Sequence, residues 1–243
     1  MQHLKKKLTG IIGISLVLTI ALALFTSASN APAVKTRVVN STNIALPSDN
    51  TSVYSKLHLK ELGLAENAYK LALKGLEKLK TTGQVTKNII SICDFTQSSG
   101  NKRLYIIDLA AGTLLFNTLV AHGKNTGDEF AKYFSNQPSS LQSSLGFYVT
   151  GEAYNGIHGL GMRLNGQEPG FNDKAAERAI VMHGAEYVCN AFVDQWGRLG
   201  RSFGCPAVPF EMHEQIINTI KDGSCLFIYY PDKKYLGASK LLR

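Results

Sequence analysis

One short stretch holds the residue types that nucleophilic catalysis needs. In HGAEYVCNAFVDQWGRLGRSFGCPAV, from His183 to Val208, a histidine ends the apolar run RAIVMHG and a cysteine sits in the glycine-flanked turn RSFGCPAV. A cysteine attacks as its thiolate, which a neighbouring imidazole or a positive field stabilises. His183 is the partner offered by the chain, and Arg198 and Arg201 bring positive charge close in sequence. Gly204 has no Cβ, so the backbone can take φ > 0 there and a substrate chain can approach the sulfur. Pro206 pushes Cys205 toward an extended conformation and has no N–H. An oxyanion hole built on this turn therefore takes its donors from Gly204 and Cys205. The competing reading makes Cys205 a small buried hydrophobe, as most free cysteines are. Spacing alone leaves both open.

The combination His183-Gly184, then Ser202, Gly204 and Cys205 as Ser-x-Gly-Cys, resembles the L,D-transpeptidase catalytic-domain family, and in particular its murein L,D-transpeptidase branch. GRSFGCPAVP is similar to that branch's own turn. The likeness extends back through FSNQPSSLQSSLGFYVTG and forward through DGSCLFIYYPD, and so covers most of the chain beyond Asn88. It implies an exported cysteine acyltransferase acting on peptidoglycan stem peptides through a Cys205 thioester, without a cofactor. His183 would take and return the proton, and Ser202 would orient His183 or line the site. Gly204 and Cys205 would donate to the oxyanion, and Arg201 would meet a substrate carboxylate. Two positions depart from the wider pattern: Ala207 stands where Arg or Asn is common, and Phe203 where His is frequent. Those departures leave two further outcomes open: an L,D-carboxypeptidase or murein-peptide hydrolase with the same nucleophile, and a non-catalytic cell-wall-binding protein. A papain-like protease fits less well, because its nucleophile precedes its histidine in the chain.

Other polar residues compete for places in the site. His122 and His158 also stand in His-Gly pairs and are rival bases, His158 the stronger and also a substrate-binding candidate. The polar segment from His122 to Gly146 is long for a connection within a compact domain, and such loops are usually functional or disordered. Within it, Ser143 and Ser144 are candidates to hydrogen-bond a peptide or glycan, the alternative being turns that cap themselves.

The elements that must position these residues are mainly strands. Ile89 to Phe95, Arg103 to Leu109 and Thr113 to Ala121 are β-branched or aromatic runs separated by turn residues, which predicts an antiparallel meander. Phe147 to Thr150 and Leu160 to Leu164 read as a strand pair joined through NGIHG. Asp173 to Arg178 is a helical turn, Arg178 to His183 the strand that delivers His183, and Cys225 to Tyr230 a final buried strand. Pro209 to Lys221 reads as a helix whose start lies near enough to the nucleophile turn for its dipole to favour a thiolate. The fold expected is mainly β with added helices (α+β), an L,D-transpeptidase-like β-sandwich or partly closed barrel with an N-terminal helical element.

Four stretches divide the chain. Residues 1–28 carry Lys5, Lys6 and Lys7, an apolar run to Phe25 and the small residues Thr26-Ser27-Ala28, the pattern of a signal peptide or an N-terminal anchor. Residues 29–53 are an Asn/Ser/Thr/Pro-rich linker. Residues 54–84 form a helical element, with Ala65, Ala68, Tyr69, Ala72, Leu76 and Leu79 on one stripe and a break at Gly63. Residues 85–243 form the catalytic domain. Losing the three lysines of the first stretch takes the formal charge from +8 to +5. The remaining basic residues are scattered, which argues against nucleic acid and for an anionic polymer or a membrane surface reached through the N-terminal segment. The periplasm or cell envelope is the implied location. A disulfide-bonded Cys205 could not act as a nucleophile, and buried free thiols are the plainer reading for Cys93 and Cys225. Neither metal-ligand spacing nor a phosphate-binding glycine loop is present.

Overall fold

The computed structural model describes residues 50–156 and 159–243. The segment 1–28, nearly all of the linker and His158 lie outside them.

Five helices and eight strands follow in chain order: α1 (Asn50–Lys56), α2 (Glu66–Thr81), β1 (Ile89–Asp94), β2 (Leu104–Asp108), β3 (Thr113–Thr118), β4 (Gly146–Gly156), β5 (Gly159–Gly166), β6 (Val181–Ala185), α3 (Asn190–Trp196), β7 (Ala207–Pro209), α4 (His213–Ile220), β8 (Cys225–Tyr229) and α5 (Lys233–Ala238). The strands form one sheet in the order β3-β2-β1-β8-β4-β5-β6-β7. The expected meander is present as the antiparallel pairs β1–β2 and β2–β3. Two pairings depart from the antiparallel expectation: β1 with β8 and β6 with β7 are parallel. The two ends of the sheet approach one another, since an antiparallel bridge joins Ala121 to Ala207 and the Ala121 N–H donates to Ala207 O at 2.8 Å. The result is mostly β and nearly closed, like a barrel with a few helices.

The α2 stripe is buried on β1 and β8 through Ala68, Tyr69, Ala72, Leu73, Gly75, Leu76 and Leu79, the three- and four-residue spacing of an amphipathic helix. Its start is held by Asp94, whose carboxylate accepts from the Ala65 N–H at 3.2 Å, a negative charge at the positive end of the helix. Gly75 lets the helix approach closely, because a Cβ there would lie 2.1 Å from the Phe147 ring. Residues of α1, α2 and the strands share one apolar core.

Some boundaries differ from expectation. β4 is 11 residues long, with an irregularity between Thr150 and Ala153 that accommodates its bend, so Phe147 to Thr150 is its first part only. Pro209 ends a strand instead of starting a helix: a short 3-10 turn, Phe210–Met212, intervenes and α4 begins at His213. The start of α4 is thus separated from Cys205 by a strand, which removes the expected dipole contribution at the thiol. α3 and α5 lie where the sequence pattern suggested no helix. No helix of the described residues is long and apolar enough to cross a membrane.

Candidate active site

Cys205 and His183 are brought together by the β6–β7 pairing. His183 lies opposite Ala207 in parallel register, and just before that pairing the Val181 N–H reaches the Cys205 sulfur. Side chains alternate across a strand, which puts Val181 and His183 on one face. Both open into a cleft of about 1010 Å³ that Cys205 also lines. Tyr154, Tyr187, Glu186, Arg178, Arg201, Phe203 and Phe210 form much of the remaining wall. Phe203 is 72% exposed there, immediately before the glycine of the nucleophile turn.

The sulfur is half-buried. The Val181 N–H donates to Sγ at 3.5 Å, and Ala179 O accepts from the thiol at 3.8 Å. Ala179 adopts φ +51°, a costly region for a residue with a Cβ, and this strain turns its carbonyl toward the sulfur. Burial pushes the Cys205 thiol up from its ordinary pKa, while the Val181 N–H and the Arg178 charge pull it down. Burial wins, so the resting group is the thiol and needs a base when it attacks.

His183 Nδ1 lies 2.9 Å from its neighbour's carbonyl, Gly184 O. A carbonyl only accepts, so Nδ1 carries the proton and Nε2 of the neutral ring is the basic nitrogen. His122 is placed otherwise. It is fully buried, its Nδ1 accepts from Arg103 at 2.8 Å, and its Nε2–H donates to Gly127 O at 3.2 Å. Burial and the Arg103 charge hold its pKa down to about 4, and it does not line the cleft. His122 is thus a structural residue and not a rival base.

The nucleophile turn is held from within. Gly204 has φ +130°, and a Cβ there would lie 2.8 Å from Gln142 O, so glycine is required on both counts. Ser202 Oγ donates to Cys205 O at 2.7 Å and accepts from the Gly204 N–H at 3.1 Å. Ser202 lines the cleft, one of the two roles expected of it, and the expectation for Gly204 changes with this geometry. The Ser202 hydroxyl braces its own turn, and the Gly204 N–H is spent on it instead of facing an oxyanion. The Phe203 and Cys205 N–H groups, which make no hydrogen bond among the described residues, are the donors left in the turn, and the Cys205 N–H is the one on the nucleophile itself.

Ser143 and Ser144 are also corrected. Both are buried, at 0% and 2% exposure, and cannot meet a substrate. Ser143 Oγ donates to Gly204 O at 3.1 Å and accepts from the Gly123 N–H at 3.0 Å, tying the long loop to the back of the nucleophile turn. Ser144 Oγ donates to Ser135 O at 2.8 Å and accepts from Arg178. Arg178 also donates to Ser135 O and Gln142 O and lies against Gly204. It gathers the loop behind the nucleophile and was not recognised from the sequence, because its partners lie 34 to 43 positions away in the chain. Arg201 lines the cleft, with its guanidinium bonded to Gly127 O at 3.1 Å and Asp128 at 2.5 Å. Cys93, Cys189 and Cys225 are free thiols like Cys205, the first and last buried. No group of three His, Cys, Asp or Glu among the described residues could hold a metal.

The L,D-transpeptidase catalytic domain family matches the chain over residues 60–229, and the chain belongs to that family. Solved structures similar to it include an L,D-transpeptidase from Mycobacterium smegmatis, at 11% identity over 59% of each chain with a TM-score of 0.35. The helical cell shape determining protein Pgp2 from Campylobacter jejuni is similar at 17% identity over 66% of this chain and 57% of its own, TM-score 0.39. An L,D-transpeptidase from Stackebrandtia nassauensis is similar at 12% identity over 70% of this chain and 73% of its own, TM-score 0.37. The chain spans 59% and 57% of the length of the first two. No curated protein matches the sequence.

Proposed function

We propose that the protein is an exported peptidoglycan L,D-transpeptidase that works through a thioester on Cys205. The observation that carries this reading is that Cys205, in the turn before β7, and His183, on the parallel neighbour β6, line one cleft, with the imidazole proton parked on Nδ1. His183 Nε2 takes the thiol proton as sulfur attacks the stem-peptide carbonyl, and the Cys205 N–H faces the oxyanion that forms. The C–N bond then breaks, His183 returns the proton to the departing D-amino acid, and a thioester remains. An acceptor amine attacks that carbonyl and gives its proton to His183. The C–S bond breaks, and the sulfur recovers the proton. Arg201 borders the same cleft but is bonded to Gly127 O and Asp128, so meeting a carboxylate of the donor peptide would require it to leave Asp128. Family membership supports action on peptidoglycan stem peptides, and the N-terminal segment 1–28 supports delivery to the envelope.

The test uses purified protein without residues 1–28, incubated with sacculi, and muropeptide mass spectrometry with Cys205→Ala beside the wild type. New cross-links or D-amino-acid exchange in the wild type alone are expected. Shortened peptides without cross-links would replace the transferase by a hydrolase with the same nucleophile. Identical muropeptides from both proteins would overturn the catalytic reading and favour wall binding.

A further inference from the structure

Among the described residues, three that line the cleft carry a formal charge at neutral pH: Arg178, Arg201 and Glu186. Both cations are committed to the protein. Arg178 is held by Ser135 O, Ser144 Oγ, Ser140 Oγ and Gln142 O, and Arg201 by Lys124 O, Gly127 O and the Asp128 carboxylate. Glu186 is exposed and forms no ion pair or hydrogen bond among the described residues. The Arg178 charge lies behind the nucleophile turn and Arg201 is paired with Asp128, so among the described residues Glu186 is the charged side chain of the cleft without a protein partner, in a chain that is basic at +8.

Its position says which half of the reaction it serves. Both arginines belong to the nucleophile's side: Arg201 precedes the turn, and Arg178 lies behind Gly204. Glu186 follows directly on β6, three residues after His183. In the proposed reaction the second nucleophile must bring its nitrogen to His183: an ammonium gives His183 one proton to free its lone pair, its second proton goes to the departing Cys205 sulfur, and His183 passes the first to solvent. A nitrogen approaching from solvent at neutral pH arrives as an ammonium when it belongs to an ordinary primary amine. A carboxylate in the same cleft as the base attracts that cation and repels an anionic group of similar size.

Resting on the proposed thioester reaction, we propose that Glu186 is a specificity-determining residue that recruits a primary ammonium acceptor to the acyl-enzyme. It takes no part in the formation of the thioester. Amines that carry no charge at neutral pH gain nothing from it.

The experiment compares the wild type with Glu186→Gln and Glu186→Lys, both at an exposed position. Each is acylated with a stem-peptide donor, the Cys205 adduct is followed by intact-protein mass spectrometry, and aminolysis is measured against two acceptors. One is a primary alkylamine, cationic at pH 7, and the other O-methylhydroxylamine, which is neutral there. Acylation rates are expected to match. For the alkylamine, Glu186→Gln raises KM by about three- to fivefold with kcat unchanged, the scale of an exposed ion pair, and Glu186→Lys raises it further. The O-methylhydroxylamine reaction is unchanged in all three. An unchanged KM for the alkylamine, or an equal loss with both acceptors, would overturn the assignment while leaving the thioester reaction intact. Absence of a Cys205 adduct in the wild type would instead remove the reaction on which it rests.

Discussion

The N–H of Val181, the first residue of β6, donates to the sulfur of Cys205, in the turn before β7, at 3.5 Å. The nucleophile is thus tuned by a backbone group on the strand that carries its base. Burial raises the thiol's pKa against the pull of that N–H and of Arg178. The alkylation rate of Cys205 by iodoacetamide, mapped by peptide mass, is expected to rise at higher pH than for an ordinary thiol. Arg178→Gln should move the profile higher still, because one of the two opposing influences is gone. A profile that does not move in the variant would show that the Arg178 charge is not felt at the sulfur.

Ser202→Ala removes a donor to Cys205 O and an acceptor for the Gly204 N–H at once. The buried partners then lack their bonds, and stability is expected to fall by about 1–3 kcal/mol, read as a lower Tm. Turnover should fall by roughly tenfold or more, since the sulfur and the Cys205 N–H lose their fixed geometry. Ser202→Thr should restore both, keeping the hydroxyl. Full activity in the alanine variant would mean that Ser143 and the flanking pairings hold the turn without Ser202.

His122 makes stability pH-dependent below neutrality. Its folded pKa is held down to about 4, from an ordinary 6.5, by burial first and the Arg103 charge second. Between these values the unfolded chain binds the proton and the folded one does not, so the contribution is present above pH 6.5 and is lost as pH falls toward 4. Its full size is up to about 3 kcal/mol. Denaturation across this range should show the loss in the wild type and a flatter curve in His122→Gln, whose amide can accept from Arg103 and donate to Gly127 O without titrating. Parallel curves would refute a neutral buried His122.

The parts of this site that could be seen in the sequence are those encoded locally. Gly204 announces a backbone conformation by its own type, and the strand before His183 announces itself by apolar content. The bracing of the nucleophile could not be seen. Ser143 and Ser144 are polar residues in a polar loop, and only tertiary packing decides that their hydroxyls turn inward to Gly204 and Ser135. The same holds for the parallel β1–β8 pair, whose partners are separated by most of the domain, and for α3 and α5, too short for a periodic signal. Ser202 shows the intermediate case, because its position was legible and the direction of its hydroxyl was not.

The order of strands in the sheet has a consequence for how the chain must fold. β1 to β3 and β4 to β7 are two blocks whose strands do not pair with each other apart from the Ala121–Ala207 bridge at the far ends, and β8 lies between them, bonded to β1 on one side and β4 on the other. Until residues 225–229 are available, each block presents an unpaired edge where β8 belongs, open to pairing with other chains. Neither half can mature early, because the strand that joins them comes last. Such long-range closure is slow. A chain released or cut before β8 would carry the nucleophile and its base without the central strand of their sheet.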